Sequence, residues 1–224
     1  MSLKILSVTE STVEYIRKKI ISGEFKPGQR LNEMVISNSI SVSRPPLREA
    51  LRILEHEQLV INIPRKGTYV TKISKKDLEN VYQTREMIEC FAVDLLKTKN
   101  MRDLPEMERA ITNIAQADQT QKVAYLEAFN QFHVKLVEST GNPLLIHFQQ
   151  AISSNLARYQ FIFLPGIVQY SREDHQEIYC LLKNGEYDKA KDLLRIHIRK
   201  FVDLGVVKWG EQTLDFNPGD SHTT

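Results

Sequence analysis

The sequence predicts a mainly α protein in two parts: an N-terminal unit of three short helices closed by a small β-hairpin, and a C-terminal antiparallel bundle built only of helices. Three observations predict it. Apolar residues recur at i, i+3, i+4 and i+7 over most of the chain, the period of amphipathic helices. Alternating β-branched runs are confined to one pair, "LVINIP" and "TYVTKI", joined by "RKG". Charge is divided as well: residues 1–72 hold 12 Lys/Arg against 7 Asp/Glu, a balance of +5, whereas the remainder holds 18 against 21, a balance of −3. The expected organisation is 1–72 for the first domain, 73–210 for the bundle and 211–224 for a frayed tail.

At 224 residues the chain is long enough to bury a proper core, and 42% hydrophobic with 26% charged residues excludes disordered or collagen-like classes. No apolar run approaches the length of a membrane span, and "MSLKILSVTESTVEYIRKKI" lacks the apolar core of a signal peptide. A cytoplasmic protein that does not engage the membrane is expected. Cys90 and Cys180 are too few and too far apart for a disulfide framework, and both read as packed thiols.

In chain order, "STVEYIRKKIISGEFKPG" places Val13, Ile16 and Ile20 on one face and stops at Gly23 and Lys26-Pro27-Gly28. "NEMVISNSI" is a weak helix by propensity and is assigned from its neighbours. In "SVSRPPLREAL" the two prolines fall in a first helical turn, where the backbone N–H groups they lack have no intrahelical partner, with Ser43 as N-cap. Leu47, Ala50, Leu51 and Leu54 then form a buried stripe, while Arg44, Arg48 and Arg52 follow one another at i+4 on an adjoining face. Cations near the N-terminal end of a leucine-anchored helix are the build of a recognition helix that meets bases and phosphates in the major groove. The hairpin after it carries Arg65 and Lys66 at its tip, with Gly67 supplying a positive φ. Three helices and a basic hairpin make a winged helix-turn-helix. The bland alternative, arginines that only solvate an exposed face, is opposed by their order and by the local charge excess.

From Ser74 onward the pattern is of long amphipathic helices, about six in number. Ser74 caps the first, with Asp77 three residues on. Further starts or stops fall at Pro105, Gly141-Asn142-Pro143, Pro165-Gly166 and Asn184-Gly185. Three histidines stand on apolar stripes of this bundle. His133 is in register with Phe129, Leu136 and Val137; His175 leads Ile178, Tyr179 and Leu182; His197 follows Leu194. One such histidine is ordinarily a hydrogen-bonded core residue. Three on three helices suit a divalent transition metal. Arg85 sits where a leucine is expected, among Leu78, Val81, Ile88, Ala92 and Leu95. Its counter-charge is Glu89, one turn on, or an acid from another helix, or a small carboxylate ligand bound beside the metal. Arg158 is the second cation assigned to that ligand.

"LNEMVISNSISVSRPPLREALRILEHEQLV" with "IPRKGTYV" resembles the winged-helix domain of GntR-type bacterial transcription regulators. "TREMIE", "FHVKLVESTGNPLL" and "DHQEIYCLLKNGEYDKAKDLLRIHI" resemble their FadR-type ligand-binding domain, called FCD, so that the likeness spans about residues 8–205. The resemblance implies a homodimer on a palindromic double-stranded operator, released or recruited by a small carboxylate effector. It implies DNA contacts at Arg44 and Arg48, a wing glycine at Gly67, and metal ligands at His133, His175 and His197, with Zn the first choice of ion and Ni and Mn as alternatives. The candidate DNA-binding set is therefore Ser43, Arg44, Arg48, Arg52, Arg65, Lys66 and Gly67. The family's fourth ligand, usually an Asp and sometimes an Asn four residues before the first histidine, falls on Phe129 here, and Asn130 is the substitute donor. Ile36-Ser37 stands where the family shows Leu-Ala. Two other readings compete with the ligand-responsive regulator: a metal-dependent hydrolase, weakened by the lack of a general base on the same faces, and a constitutive DNA-binding dimer with a purely structural bundle.

Overall fold

The structure is a computed structural model that describes residues 6–118, 120–163 and 168–211. The chain divides into two compact units between Ser74 and Lys75, two residues beyond the boundary expected from the sequence. Of the expected tail, 211–224, Glu211 still belongs to the last helix; the rest of it and the stop at Pro165-Gly166 lie outside the described residues.

The first unit holds α1 (Val8–Ile21), β1 (Arg30–Leu31), α2 (Glu33–Ser39), α3 (Arg44–His56), β2 (Val60–Ile63) and β3 (Gly67–Val70). α1 begins earlier than "STVE" suggests because Ser7 and Glu10 form a capping box, each side chain meeting the other's backbone N–H. Asn32 caps α2 by accepting from the backbone N–H groups of Met34 and Val35. α3 opens through its two prolines as expected, although Ser43 stands at the cap position without a side-chain cap hydrogen bond. Leu47, Ala50, Leu51 and Leu54 are buried and join Val13, Ile16, Ile20 and Ile36 in one core. The sheet has the order β1-β3-β2, all antiparallel. The sequence pattern predicts only the hairpin; β1, two residues long, is too short to show a period and gains its place by pairing Arg30 with Tyr69 and Leu31 with Thr68.

The second unit is an antiparallel bundle of α4 (Lys75–Thr98), α5 (Pro105–Gln116), α6 (Lys122–Glu138), α7 (Pro143–Phe163), α8 (Val168–Asn184) and α9 (Tyr187–Glu211). α4 packs against α6, α7 and α9, and α5 against α6 and α8. The buried seam of α4 runs through Leu78, Tyr82, Arg85, Ile88, Glu89, Ala92, Val93 and Leu96. Val81 and Leu95, expected in it, are only partly covered, because helices pack on both sides and draw the seam one residue round towards Tyr82 and Glu89. Gly141 and Gly185 take positive φ at the two tight helix–helix connections, and Asn142 caps α7 by accepting from Leu144 and Leu145 N–H. One expectation about cysteine is corrected: Cys90 is buried, but Cys180 is exposed, on the side of α8 away from Tyr179 and Leu182.

Candidate functional site

The three histidines of the bundle come together. One ligand nitrogen from each of His133 (α6), His175 (α8) and His197 (α9) lies within 4.8 Å of the others, and the Nε2 atoms of His133 and His175 face each other at 2.8 Å. His133 and His175 are buried. Two of the rings are oriented by carboxylates. His133 Nδ1 donates to Glu89 Oε2 at 2.7 Å, and His197 Nδ1 donates to Asp174 Oδ2 at 3.2 Å. A carboxylate on Nδ1 fixes the tautomer that leaves Nε2 a lone pair. Burial, helped by the nearby Arg85 guanidinium, holds His133 well below the ordinary imidazole range; burial lowers His197 too, against the opposing pull of Asp174. Burial works against Asp174's charge, but hydrogen bonds from His197 and Lys200 prevail and hold its carboxyl low. His133 and His197 are thus held as lone-pair imidazoles, each with a carboxylate behind it, the donor chemistry a divalent transition metal requires.

Beside them lies Arg85, its side chain 3% exposed, with Nε donating to Glu89 Oε1 at 2.8 Å. Glu89 is fully buried and also accepts from Gln149 Nε2 of α7 at 3.4 Å. One carboxylate therefore ties α4, α6 and α7 together. Of the partners weighed for Arg85, Glu89 is the one in place, yet it occupies only one arm of the fork: Arg85 Nη2 is buried without a hydrogen-bond partner, as are Tyr82 Oη, Gln149 Oε1 and Gln160 Oε1. Arg158, 2% exposed on α7, is pulled down to about 10 by burial; among the described contacts none joins it to the histidines. Phe129 lies against the cluster, its ring 5.3 Å from that of His175, so the position from which the resemblance expects an Asp or Asn ligand faces the histidines but brings no donor. Asn130 is partly buried, and among the described residues no hydrogen bond connects it to them. Sequence reading missed Asp174 as a partner of His197; its place one residue before His175 is a signal only once α8 and α9 are known to pack together.

In the first unit, Arg44, Arg48 and Arg52 are all exposed along α3. Arg65 and Lys66 sit at the tip of the hairpin, which turns through Pro64 with Arg65 itself at φ 66° and Gly67 at φ 103°. A residue the sequence did not single out joins them. The guanidinium of Arg30 on β1 lies over Gly67, where a β-carbon would come within 3.4 Å of its Nε, and Arg30, Arg44 and Gly67 line one recess. Ser43 is exposed at the start of α3.

Residues 8–70 match the family model described as bacterial regulatory proteins of the gntR family, and residues 80–200 match the FCD domain, which alone covers more than half of the chain. The chain is a gntR-family regulator with an FCD domain. Among its relatives, the uncharacterized HTH-type transcriptional regulator YdhC of Bacillus subtilis is 28% identical over 81% of this chain and 84% of its own. The gluconate operon transcriptional repressor of Bacillus licheniformis is 26% identical over 73% of this chain and 68% of its own. The same fold occurs in a GntR transcriptional regulator from Rhodococcus sp. RHA1, with a TM-score of 0.76 at 23% identity, covering 90% of this chain and 99% of that one. The gntR-family regulator is a transcription regulator and not an enzyme, which removes the hydrolase reading. Among its described helices none is long and apolar enough to cross a membrane.

Proposed function

We propose that this regulator binds a palindromic operator as a homodimer, and that a small organic acid in the bundle sets its affinity for DNA. The acid is a di- or tricarboxylate such as citrate, a hydroxy acid or a sugar acid. The observation that carries this reading is the meeting of three imidazoles, two of them oriented by carboxylates, with a buried arginine that has one arm of its fork to spare. His133, His175 and His197 would hold the ion; Zn suits imidazole ligands, and Ni and Mn are alternatives. A bound divalent cation supplies positive charge and coordination positions for a carboxylate. The chain's own part is to keep His133 and His197 neutral through burial, to aim them through Glu89 and Asp174, and to offer Arg85 Nη2, with Arg158 of α7 as a second cation. Phe129 brings no donor to the cluster, so the ligand's own carboxylate would complete the set. One relative's name places it at a gluconate operon, and gluconate is a hydroxylated acid of this class.

Two features support a homodimer. α7 has a single charged residue, the buried Arg158, so its exposed side, including Leu144 at 69% and Phe148 at 56%, carries no charge. α4, packed against it, exposes Met87 and Phe91 one turn apart. A two-fold axis sets a patch against itself, which like charges would oppose and an uncharged apolar face permits. Effector binding would then favour one arrangement of the pair and alter how two recognition helices meet half-sites about one DNA turn apart.

The DNA half of this reading is tested by letting the full-length protein select duplexes from a random pool. The expected product is an inverted repeat. Arg44→Ala should bind the selected duplex with a loss of about 1–3 kcal/mol and relax the preference at one base pair in each half. Selection of a sequence without two-fold symmetry, or wild-type binding by Arg44→Ala, would contradict it.

A further inference from the structure

The DNA-reading face contains an acid that the candidate set leaves out. Glu33, the first residue of α2, accepts from Nε of Arg48 at 2.9 Å across 15 residues of sequence, and Asn32 holds that turn of α2 in place by capping it. The Arg48 side chain remains 63% exposed, and that of Glu33 is 32% exposed. Glu33 lines both recesses of this face, one shared with Arg30, Arg44 and Gly67, the other with Arg48 and Arg52. In the first of these it is the only acid among the described residues.

An exposed ion pair of this kind contributes little to folding stability. At a surface that meets phosphates, a carboxylate is a cost, because it opposes the polyanion that supplies most non-specific affinity. Its position gives that cost a use. With Nε engaged by Glu33, the two Nη groups of Arg48 are the donors left facing outward, and a paired Nη fork is what reads O6 and N7 of guanine. A free arginine at the same site would settle on the nearest phosphate instead.

We infer that Glu33 is a positioning residue that sets sequence specificity: it orients Arg48 towards a base edge and penalises attachment to the phosphate backbone. This rests on the reading of α3 as the DNA-contacting helix. Discrimination is a difference of affinities, and Glu33 raises it from both sides.

The test compares full-length wild type, Glu33→Ala and Glu33→Gln by fluorescence anisotropy, on the duplex selected by the wild type and on a scrambled duplex of equal length, over a series of salt concentrations. Glu33→Ala should weaken the selected duplex about tenfold and tighten the scrambled one, whose log K against log salt slope should steepen by about 0.9 as one more cation engages phosphate. Glu33→Gln keeps an acceptor for Nε, so it should retain most of the selected-duplex affinity while still tightening the scrambled one. In an Arg48→Ala background, Glu33→Ala should no longer change the ratio of the two affinities. Equal tightening of both duplexes by Glu33→Ala would show a mere surface charge and overturn the inference, as would no change in either. Failure of the underlying reading has a different signature: Arg44→Ala and Arg48→Ala would then bind both duplexes like wild type, whatever Glu33 does.

Discussion

Glu89→Ala is expected to destabilise the bundle by roughly 3–5 kcal/mol, the cost of breaking a buried charged pair by removing one partner. Glu89 is fully buried and accepts from Arg85 Nε, Gln149 Nε2 and His133 Nδ1, so alanine leaves a guanidinium, which cannot shed its proton, in a low-dielectric interior without a counter-charge. The effect should appear as a lowered denaturant midpoint for the helical signal of chelator-treated full-length protein. Glu89→Gln, which keeps an acceptor but not the charge, should fall between alanine and wild type. A wild-type midpoint for Glu89→Ala would mean that Arg85 and Glu89 are not a buried pair.

His175→Ala is expected to abolish metal binding, from about one ion per chain to none, because His175 is one corner of a compact triangle of imidazoles, with ring centroids 4.9 Å from His133 and 4.5 Å from His197, and those two 5.2 Å apart. Elemental analysis of protein purified without chelators measures the loss directly. A second readout separates it from damage to the core. An ion at one hundred times its Kd should stabilise the wild type by about 2.7 kcal/mol and the variant not at all. His175→Asn, which keeps most of the volume, guards against a variant that does not fold. Equal stabilisation of wild type and variant would place the ion elsewhere.

What could be read in advance follows from which signals are local. The prolines and arginines of α3 announce themselves because a single helical turn explains both, and the leucines behind them show the 3.6 period over a whole helix. The histidines were visible as polar residues on apolar stripes. Their partners were not: a carboxylate such as Asp174 looks like ordinary helix surface until α9 lies against it. Glu89 was legible as a neighbour of Arg85, one turn away, but its bond to His133 spans 44 residues and depends on how α4 and α6 meet. The same cause moved the α4 seam from Val81 and Leu95 to Tyr82 and Leu96, and left Cys180 in solvent. β1 and the approach of Arg30 to the wing glycine exist only through pairing, since two residues carry no periodicity. Glu33 escaped notice for a related reason: in sequence it is one acid at a helix start, a favourable place for any carboxylate.

The most direct measurement of the central claim is a linkage experiment on zinc-loaded, full-length protein. The Kd for the selected operator duplex is measured with and without saturating citrate or gluconate, and the affinity for the same acid is measured by calorimetry with and without the duplex. A sensor requires a coupling of about 1–3 kcal/mol, a five- to 150-fold change in operator affinity, and the reciprocal experiment must return the same factor. Operator affinity unchanged by every acid that binds, or no binding by any acid to metal-loaded protein, would contradict it and leave a regulator whose bundle only joins two copies.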